Sequence, residues 1–284
     1  MLPGRGSHII AARVIFRQRQ AIAPLSRFIE SFWFYQDLAV NHTKERLLPN
    51  GTLELIIDLS PTPKKLYNSR DTTQFTMFRR AWISGLQREY IVIGTEPGSS
   101  MMGVHFRPGG AAPFLDFPVS ELTAFVIELD LIWKAELISL RDRLLEEPDI
   151  SRKFDLLEAA LMARAGHRLD VDRSVDAILN TMQRWPDLRL REIAAQIGLS
   201  GKQVLSRFDC RVGCTPKLTA RILRFQKAVR TIHQSETHDW AGLSQEFGYY
   251  DQPHFIHEFR QFAGVTPADY ARRRTEYPDY IYLD

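Results

Sequence analysis

A residue pattern in the C-terminal third of the chain occurs twice, and this duplication constrains the fold more than any other feature of the sequence. The first copy has AAQIG at residues 194–198 and FDCRVGCTP at residues 208–216. The second copy has SQEFG at residues 244–248 and FRQFAGVTP at residues 259–267, so the offsets are 50 and 51 residues. Two copies with matching start and stop signals predict one supersecondary motif that is present twice.

Each copy has the pattern of two helices joined by a tight turn. In the first copy, residues 190–197 form a predicted short helix, Gly198 can adopt the positive φ of a sharp turn, and Ser200 can cap the next helix. In the second copy, Gly248 and Asp251 hold the corresponding positions. This is the arrangement of a helix-turn-helix, whose second helix enters the major groove of DNA.

The second helix of each unit, which we call its reading helix, supplies the candidate DNA contacts. In the first unit, the helical spacing predicts a buried side formed by Val204, Leu205, Phe208 and Val212. The outward polar side chains can contact base edges and phosphates. In the first unit these are Lys202, Gln203, Ser206 and Arg207. In the second unit they are Gln252, His254, His257 and Arg260.

The second reading helix also raises the alternative of a metal site. Residues 252–262 are predicted to form one helix, and His254, His257 and Glu258 are predicted to share a face away from its phenylalanine stripe. A structural zinc site normally needs four ligands, and the order H-x-x-H-E matches neither common zincin motif. We therefore predict no metal, and we expect this face either to read DNA or to be solvated.

A third predicted helix lies between the two copies, with Thr215 as its N-cap and Pro216 in its first turn. Its apolar residues recur at spacings of four and three, which predicts a continuous buried stripe of Leu218, Ile222, Phe225, Val229 and Ile232. Packed against both units, this helix would hold the reading helices in successive major-groove segments, about 34 Å apart. Its outward basic residues are either phosphate contacts or a solvated face, and they include Lys217, Arg221, Arg224 and Lys227.

Charge is distributed unevenly along the chain. The formal net charge is only +3, yet residues 202–230 contain eight basic residues and one acid. Such a block is typical of a protein that binds a polyanion. The sequence has no uncharged apolar stretch of about 18 residues, so we predict no membrane span and a cytoplasmic protein. Two cysteines are too few for a disulfide framework.

The N-terminal part has short strands and turns instead of helices. Leu53, Leu55 and Ile57 alternate with more polar residues after an Asn-Gly turn, which predicts a half-buried strand. Further strands are predicted at 90–93 and 101–106. Several short strands in one domain indicate a small barrel or sandwich. Beyond residue 113 the period becomes helical, with helices predicted at 132–146 and 151–165 and a domain boundary at 166–172.

Residues 171–277 resemble the AraC/XylS family of bacterial transcription regulators, whose DNA-binding domain has two helix-turn-helix units joined by a long helix. GYYDQPHFIHEFRQFAGVTPADY is similar to the family signature almost throughout, and IAAQIGLSGKQVLSRFDCRVGCTPKL matches the first unit well. Ser206, Ser244 and His257 depart from the residues usual there. The resemblance implies sequence-specific binding to duplex DNA, and it adds RNA polymerase to the partners to be considered.

Residues from about 20 to 165 are similar to a cupin-like sensor module found ahead of such domains, on segments that include LLPNGTLELII and GVHFRPGGAAPFLDFPVSEL. The resemblance implies a barrel that binds a small effector, followed by helices that mediate a homodimer. Trp33 and His105 are the candidate ligand contacts. The predicted fold class is therefore α+β with two domains: a small cupin-like β-barrel and its helices at 1–165, and an all-α double helix-turn-helix at 171–277.

The sequence also has to be compared with the requirements of three other classes of protein. The main alternative is a cupin-type enzyme, or a small-molecule-binding protein with an appended DNA-binding domain. A cupin metal site needs clustered histidines, but the histidines in the N-terminal part of this chain are far apart in sequence: His8, His42, His105 and His167. We find no nucleophile elbow, phosphate loop or dinucleotide fingerprint, so we predict no catalytic residues and no cofactor. A DNA-repair methyltransferase needs reactive cysteines outside the DNA-binding domain, but the two cysteines, Cys210 and Cys214, both lie in the first predicted helix-turn-helix unit. The aromatic run at 33–35 could stack on RNA bases, although a buried strand explains it equally well.

Overall fold

The computed structural model describes residues 15–36, 40–184 and 190–283. His8 lies outside these residues. The strands are β1 Ile15–Gln20, β2 Ile29–Gln36, β3 Lys44–Leu47, β4 Glu54–Asp58, β5 Lys64–Tyr67, β6 Phe75–Phe78, β7 Ala81–Ser84, β8 Ile91–Gly94, β9 Met101–Phe106, β10 Val126–Glu128 and β11 Tyr280–Tyr282. The helices are α1 Asp130–Glu146, α2 Ile150–Ala165, α3 Arg173–Arg184, α4 Leu190–Gln196, α5 Gly201–Arg211, α6 Pro216–Gln234, α7 Trp240–Glu246, α8 Gln252–Ala263 and α9 Pro267–Arg273.

The N-terminal part consists of two antiparallel sheets with a cavity between them. One sheet has the order β1-β2-β9-β4-β7-β10 and the other has the order β11-β3-β8-β5-β6. In the described ranges no strand pairing joins one sheet to the other, so the closed barrel predicted from the sequence is not observed. The β-rich N-terminal domain and the helical region that follows it agree with the prediction.

Strand β4 is buried on both faces, which differs from the half-buried strand predicted. Leu55 and Ile57 are fully buried on one face, while Ile56 on the other face is also nearly inaccessible to solvent. The reason is that the first face packs on the helical layer and the second lines the cavity. A sheet covered on both sides has apolar residues on both sides.

Helices α1 and α2 cover the outer face of the six-stranded sheet. Phe32 of β2 packs against Phe154 of α2 with ring centroids 6.4 Å apart. Helix α2 begins after Asp149, whose side chain accepts a hydrogen bond from the backbone N–H of Arg152. Helix α1 is broken at Lys134, where the backbone has φ 46° and ψ −124°, so the continuous helix predicted at 132–146 is interrupted near its start.

Helix α6 forms the centre of the C-terminal helices. Of the predicted stripe, Ile222, Phe225, Val229 and Ile232 are fully buried. Leu218, in the first turn, is only partly buried. The ring of Phe225 lies 5.1 Å from that of Phe259 and 4.9 Å from that of Phe262, so α6 and α8 share one aromatic core. Within the described residues, no helix is long and apolar enough to cross a membrane.

The C-terminal region contacts the N-terminal sheets at several points. Strand β11 follows α9, beyond the domain predicted at 171–277, and pairs with β3 of the N-terminal sheets. The backbone N–H of Tyr90 donates to the carbonyl of Phe262 at 2.9 Å. Gln226 Nε2 on α6 donates to the carbonyl of Pro49 at 2.9 Å. The helices that carry the two repeats are therefore bonded directly to the β-domain.

Candidate DNA-binding surface and candidate ligand cavity

The first helix-turn-helix unit consists of α4 and α5. Gly198 between them has φ +70°, the left-handed conformation that a tight turn requires. Ser200 caps α5: its side chain accepts from the backbone N–H of Gln203 at 3.3 Å, and Gln203 Oε1 accepts from the backbone N–H of Ser200 at 2.9 Å. This reciprocal capping box fixes where α5 begins.

The outward face of α5 contains the polar residues expected from the sequence, together with one leucine. Lys202, Gln203 and Ser206 are exposed, whereas Val204 and Phe208 are fully buried. The prediction that Leu205 is buried is wrong, because its side chain is 49% exposed. Position 205 lies three residues after Lys202, so it belongs to the helix face that points away from the core.

Arg207 on α5 is held by the start of α3. Its Nη1 atom lies 2.7 Å from Asp172 Oδ2, while Asp172 Oδ1 accepts from the backbone N–H groups of Ser174 and Val175. Burial alone would raise the pKa of Asp172, but these backbone donors and the Arg207 guanidinium hold that pKa below its usual range. Arg207 thus ties the first reading helix to α3.

The second unit, α7 and α8, repeats this construction. Gly248 has φ +71°, and the Asp251 side chain accepts from the backbone N–H of His254 at 2.8 Å. Gly264 ends α8 with φ +70°. The outward positions of α8 comprise exposed His254, His257 and Arg260 and half-buried Gln252.

Glu258 departs from the predicted position on this face. It is only 5% exposed, and its carboxylate turns toward α6 instead of sharing the outward face with the histidines. Arg221 Nε lies 2.8 Å from Glu258 Oε2, and Arg224 Nη2 lies 3.0 Å from Glu258 Oε1. Burial would raise the pKa of Glu258, but the two guanidinium groups hold that pKa below its usual range. Throughout the described chain, no group of three or more His, Cys, Asp and Glu residues is arranged to hold a metal ion.

The ion pairs with Glu258 also change the position expected for Arg221 and Arg224. Both side chains were predicted to point outward, but both are partly buried. Arg221 Nη2 also donates to Gln261 Oε1 at 2.7 Å, and the Arg224 guanidinium lies 4.4 Å from the ring centroid of Tyr249. These two arginines therefore join α6 to the second unit. Lys217, at the start of α6, is exposed as predicted.

A cavity of about 500 Å³ lies between the two sheets. Trp33 and His105, the candidate ligand contacts, both line it. Trp33 Nε1 donates to Glu54 Oε1 at 2.7 Å, and the indole lies over Gly103 of β9. Gly103 makes this possible, because a Cβ atom there would lie 2.3 Å from Trp33 Cζ2. A volume of this size suits a small-molecule site.

His105 lies among carboxylates at one end of the cavity. Its Nδ1 atom is 3.8 Å from Glu54 Oε1, and its Nε2 atom is 3.8 Å from Glu30 Oε2. Thr52 Oγ1 lies 3.4 Å from Nε2. Burial would lower the pKa of His105, but the nearby carboxylates of Glu54, Glu30 and Asp279 raise it overall.

Sequence reasoning missed the C-terminal contribution to this cavity. Tyr277, Tyr280 and Tyr282 all line it, although two of them lie beyond the predicted C-terminal domain. The signal was the alternation Tyr-Ile-Tyr at 280–282, which is typical of a short strand with one buried face. Ile281 is fully buried on the opposite face.

Two protein families match separate parts of the chain. Residues 17–128 match a family described as a domain of unknown function (DUF6597), and residues 193–273 match a helix-turn-helix domain. No curated protein matches the chain.

Among solved structures, the crystal structure of ToxT from Vibrio cholerae O395 is 8% identical, with a TM-score of 0.47 over 92% of this chain and 99% of that chain. Unsaturated fatty acid bound wild-type ToxT from Vibrio cholerae strain SCE256 is 9% identical, with a TM-score of 0.48 over 90% of this chain and 94% of that chain. The two matched domains, and not the likeness to these structures, identify the chain as a DNA-binding transcription regulator, with a helix-turn-helix domain of the AraC type behind a DUF6597 domain.

Proposed function

We propose that both reading helices, α5 and α8, enter successive major-groove segments of one operator, and that a small molecule in the cavity controls this binding. The observation that carries the proposal is the pair of similarly built helix-turn-helix units, one before and one after α6 in the chain. The proposed DNA contacts are Lys202, Gln203, Ser206, Arg207, Lys217, Gln252, His254, His257 and Arg260. The proposal keeps the domain bounds 1–165 and 171–277 and adds β11 to the wall of the first domain.

Packing contacts link both reading helices to α6: α8 packs on it directly, and α5 packs on α3, which in turn packs on α6. The aromatic core around Phe225 and the ion pairs of Glu258 both join α6 to α8. Reading helices on a rigid spacer bind two groove segments without a further ordering cost. We therefore assign Arg221 and Arg224 to positioning α8, in place of the phosphate contacts expected from the sequence.

The exposed face of α5 suits base readout. Lys202 can donate to guanine or to phosphate, and Ser206 can donate or accept. Leu205 adds an apolar side chain of the kind that contacts the methyl group of thymine. On α8, the imidazole rings of His254 and His257 can form hydrogen bonds to base edges.

The experiment that tests the proposal is selection of bound duplexes from a random pool by the purified full-length protein. We expect one enriched sequence with two conserved segments, and binding that weakens steeply as salt rises. Single-stranded RNA of the same sequence is the control. Failure to enrich any duplex, or equal binding to the RNA, would refute the proposal.

We further propose that the protein acts as a homodimer through α1. Ile138 and Leu145, seven residues apart on the unbroken part of α1, are 47% and 45% exposed. A spacing of seven keeps both side chains on one stripe, which suits pairing with the same helix of a second copy. A dimer would bring four reading helices to one operator.

Control by an effector requires that the small molecule bind one arrangement of the DNA-binding domains more tightly than another. A coupling of about 1 to 3 kcal/mol, typical of allosteric proteins, would change operator affinity about 5- to 150-fold. The direct hydrogen bonds between the two regions, such as Gln226 to Pro49, are the contacts through which cavity occupancy would act. The proposal assigns no reaction to the cavity.

A further inference from the structure

The cavity between the sheets is walled in part by the chain that follows the DNA-binding domain. The backbone of β11 pairs with β3, with Tyr280 opposite Leu47 and Tyr282 opposite Glu45. The carbonyl of Asp279 accepts from the backbone N–H of Leu48 at 2.8 Å, which extends this pairing. One wall of the cavity is therefore an extension of the DNA-binding domain.

The cavity wall is rich in aromatic rings from both regions: Trp33, Tyr35, Trp82, Tyr277, Tyr280 and Tyr282. The rings of Trp33 and Tyr35 are stacked with centroids 5.7 Å apart. The ring of Tyr282 is stacked over that of His42, with centroids 3.8 Å apart. Aromatic faces carry partial negative charge, so a set of them around a cavity attracts a cation.

Carboxylates at the cavity wall add negative charge. Glu30, Glu45 and Glu54 line it, and Glu54 lies beside the Trp33 indole. Burial raises the pKa of the Tyr35 and Tyr280 hydroxyls, and the charges of nearby carboxylates, among them Glu45 and Glu54, raise these pKa values further.

The two lysines at the cavity already have partners. Lys64 Nζ donates to Ser60 Oγ at 2.9 Å and lies 3.8 Å from Asp58 Oδ2. Lys65 Nζ lies 5.0 Å from the ring centroid of Phe75. The two lysines thus contact neighbours of their own, and Glu54 lines the cavity with the Trp33 indole and His105 as its partners.

We infer that the cavity is a binding site for a small organic cation, with its ammonium group near Glu54 and its apolar body among the tryptophans and tyrosines of both regions. The inference rests on the proposed function, because it names the chemical class of the effector. It also specifies that β11 completes the site, so the ligand contacts the DNA-binding domain's own C-terminal extension.

Matched probes test this class directly by calorimetric titration of the full-length protein. Each series shares an indole, phenyl or octyl body and differs in an ammonium, hydroxyl or carboxylate head group. We expect at least one ammonium probe to bind about tenfold or more tightly than its alcohol and its carboxylate, the size of a charge-assisted hydrogen bond. If no ammonium probe exceeds its alcohol in any series, the inference is overturned.

Two variants locate the site, and a third is the control. Glu54→Gln keeps an acceptor for the Trp33 indole but removes the charge, so we expect about tenfold weaker binding of the ammonium probe and no change for its alcohol. Tyr282→Ala should weaken both probes, because it removes part of the C-terminal wall. Glu89→Gln removes an exposed carboxylate outside the cavity and should change neither. Unchanged ammonium binding by Glu54→Gln or by Tyr282→Ala would overturn the assigned site.

Failure of the inference and failure of the proposed function are distinguishable. Cation binding is measured without DNA, and duplex selection is carried out without a ligand. If the protein selects a duplex but prefers carboxylate or neutral probes, the proposed DNA-binding function stands and the inferred cation site is rejected. If the protein binds the ammonium probe but selects no duplex, the inferred cation site stands and the proposed DNA-binding function is rejected.

Discussion

Replacing Glu258 with alanine tests whether α6 and α8 form one rigid unit. The carboxylate is 5% exposed and pairs with Arg221 and Arg224 at 2.8 and 3.0 Å. Breaking a fully buried ion pair costs about 3 to 5 kcal/mol, because it leaves a buried charge without a partner. Both arginines retain some contact with solvent, so we expect about 2 to 3 kcal/mol in the free energy of unfolding measured with urea.

The loss should depend on pH in a defined direction. The folded pKa of Glu258 lies below its usual 4.5. Its contribution to stability is therefore complete above that value and disappears as pH falls through the folded pKa. The difference between the wild type and Glu258→Ala should accordingly be largest near neutral pH and shrink in acid.

The same variant separates two roles for the arginines. If Arg221 and Arg224 position α8, Glu258→Ala should weaken operator binding. If instead they are phosphate contacts restrained by Glu258, releasing them should strengthen it. Glu246→Ala is the matched control, because its contact with Lys227 at 3.4 Å is about half exposed on both sides and should be worth no more than about 1 kcal/mol. Tighter DNA binding by Glu258→Ala, with unchanged stability, would refute the positioning role.

Four further outcomes are expected. Arg207→Ala should relax base preference and cost about 1 to 3 kcal/mol if the side chain binds guanine; unchanged selectivity in the duplex assay would leave it only its contact with α3. Lys217→Ala should weaken all sequences alike and make the log-log salt slope shallower by about 1, and a sequence-dependent loss would contradict a phosphate contact. Ile138→Glu with Leu145→Glu should give a monomer by light scattering, whereas a persisting dimer would place the interface elsewhere. A quaternary ammonium probe should bind more tightly as pH rises through the raised pKa of His105, since the imidazolium that competes for Glu54 becomes neutral; a flat profile would contradict this.

Local signals along the chain were sufficient to predict the helical repeats. Thr215 and Asp251 are N-caps, and Gly264 ends a helix, each through a side chain or conformation that the sequence specifies locally. The buried stripe of α6 follows from its spacing alone. These features were predictable because each depends on residues within one or two turns.

Tertiary contacts set the limits of sequence reasoning. Glu258 occupies a position whose local pattern is polar, and only the arginines 37 and 34 residues away make its burial favourable. Leu205 was misassigned because it is apolar, which predicts burial, whereas its position on α5 places it on the outward face of the helix. The alternation at 280–282 is compatible with a strand, but three residues do not show which strand they pair with, and the partner is β3.

The ligand cavity was only partly accessible from the sequence. Trp33 and His105 were identified one at a time, from a resemblance and a strand position. Their grouping with Glu54 depends on the order β2-β9-β4, which places three non-consecutive segments side by side. No single segment encodes that juxtaposition.

Methylation interference on the selected operator tests the central claim most directly, because guanine N7 lies in the major groove. The account predicts that each protomer produces two clusters of interfering guanines, centred about 10 base pairs apart on one face of the duplex. A single cluster per protomer, or two clusters on opposite faces, would contradict the claim that α5 and α8 enter successive major-groove segments.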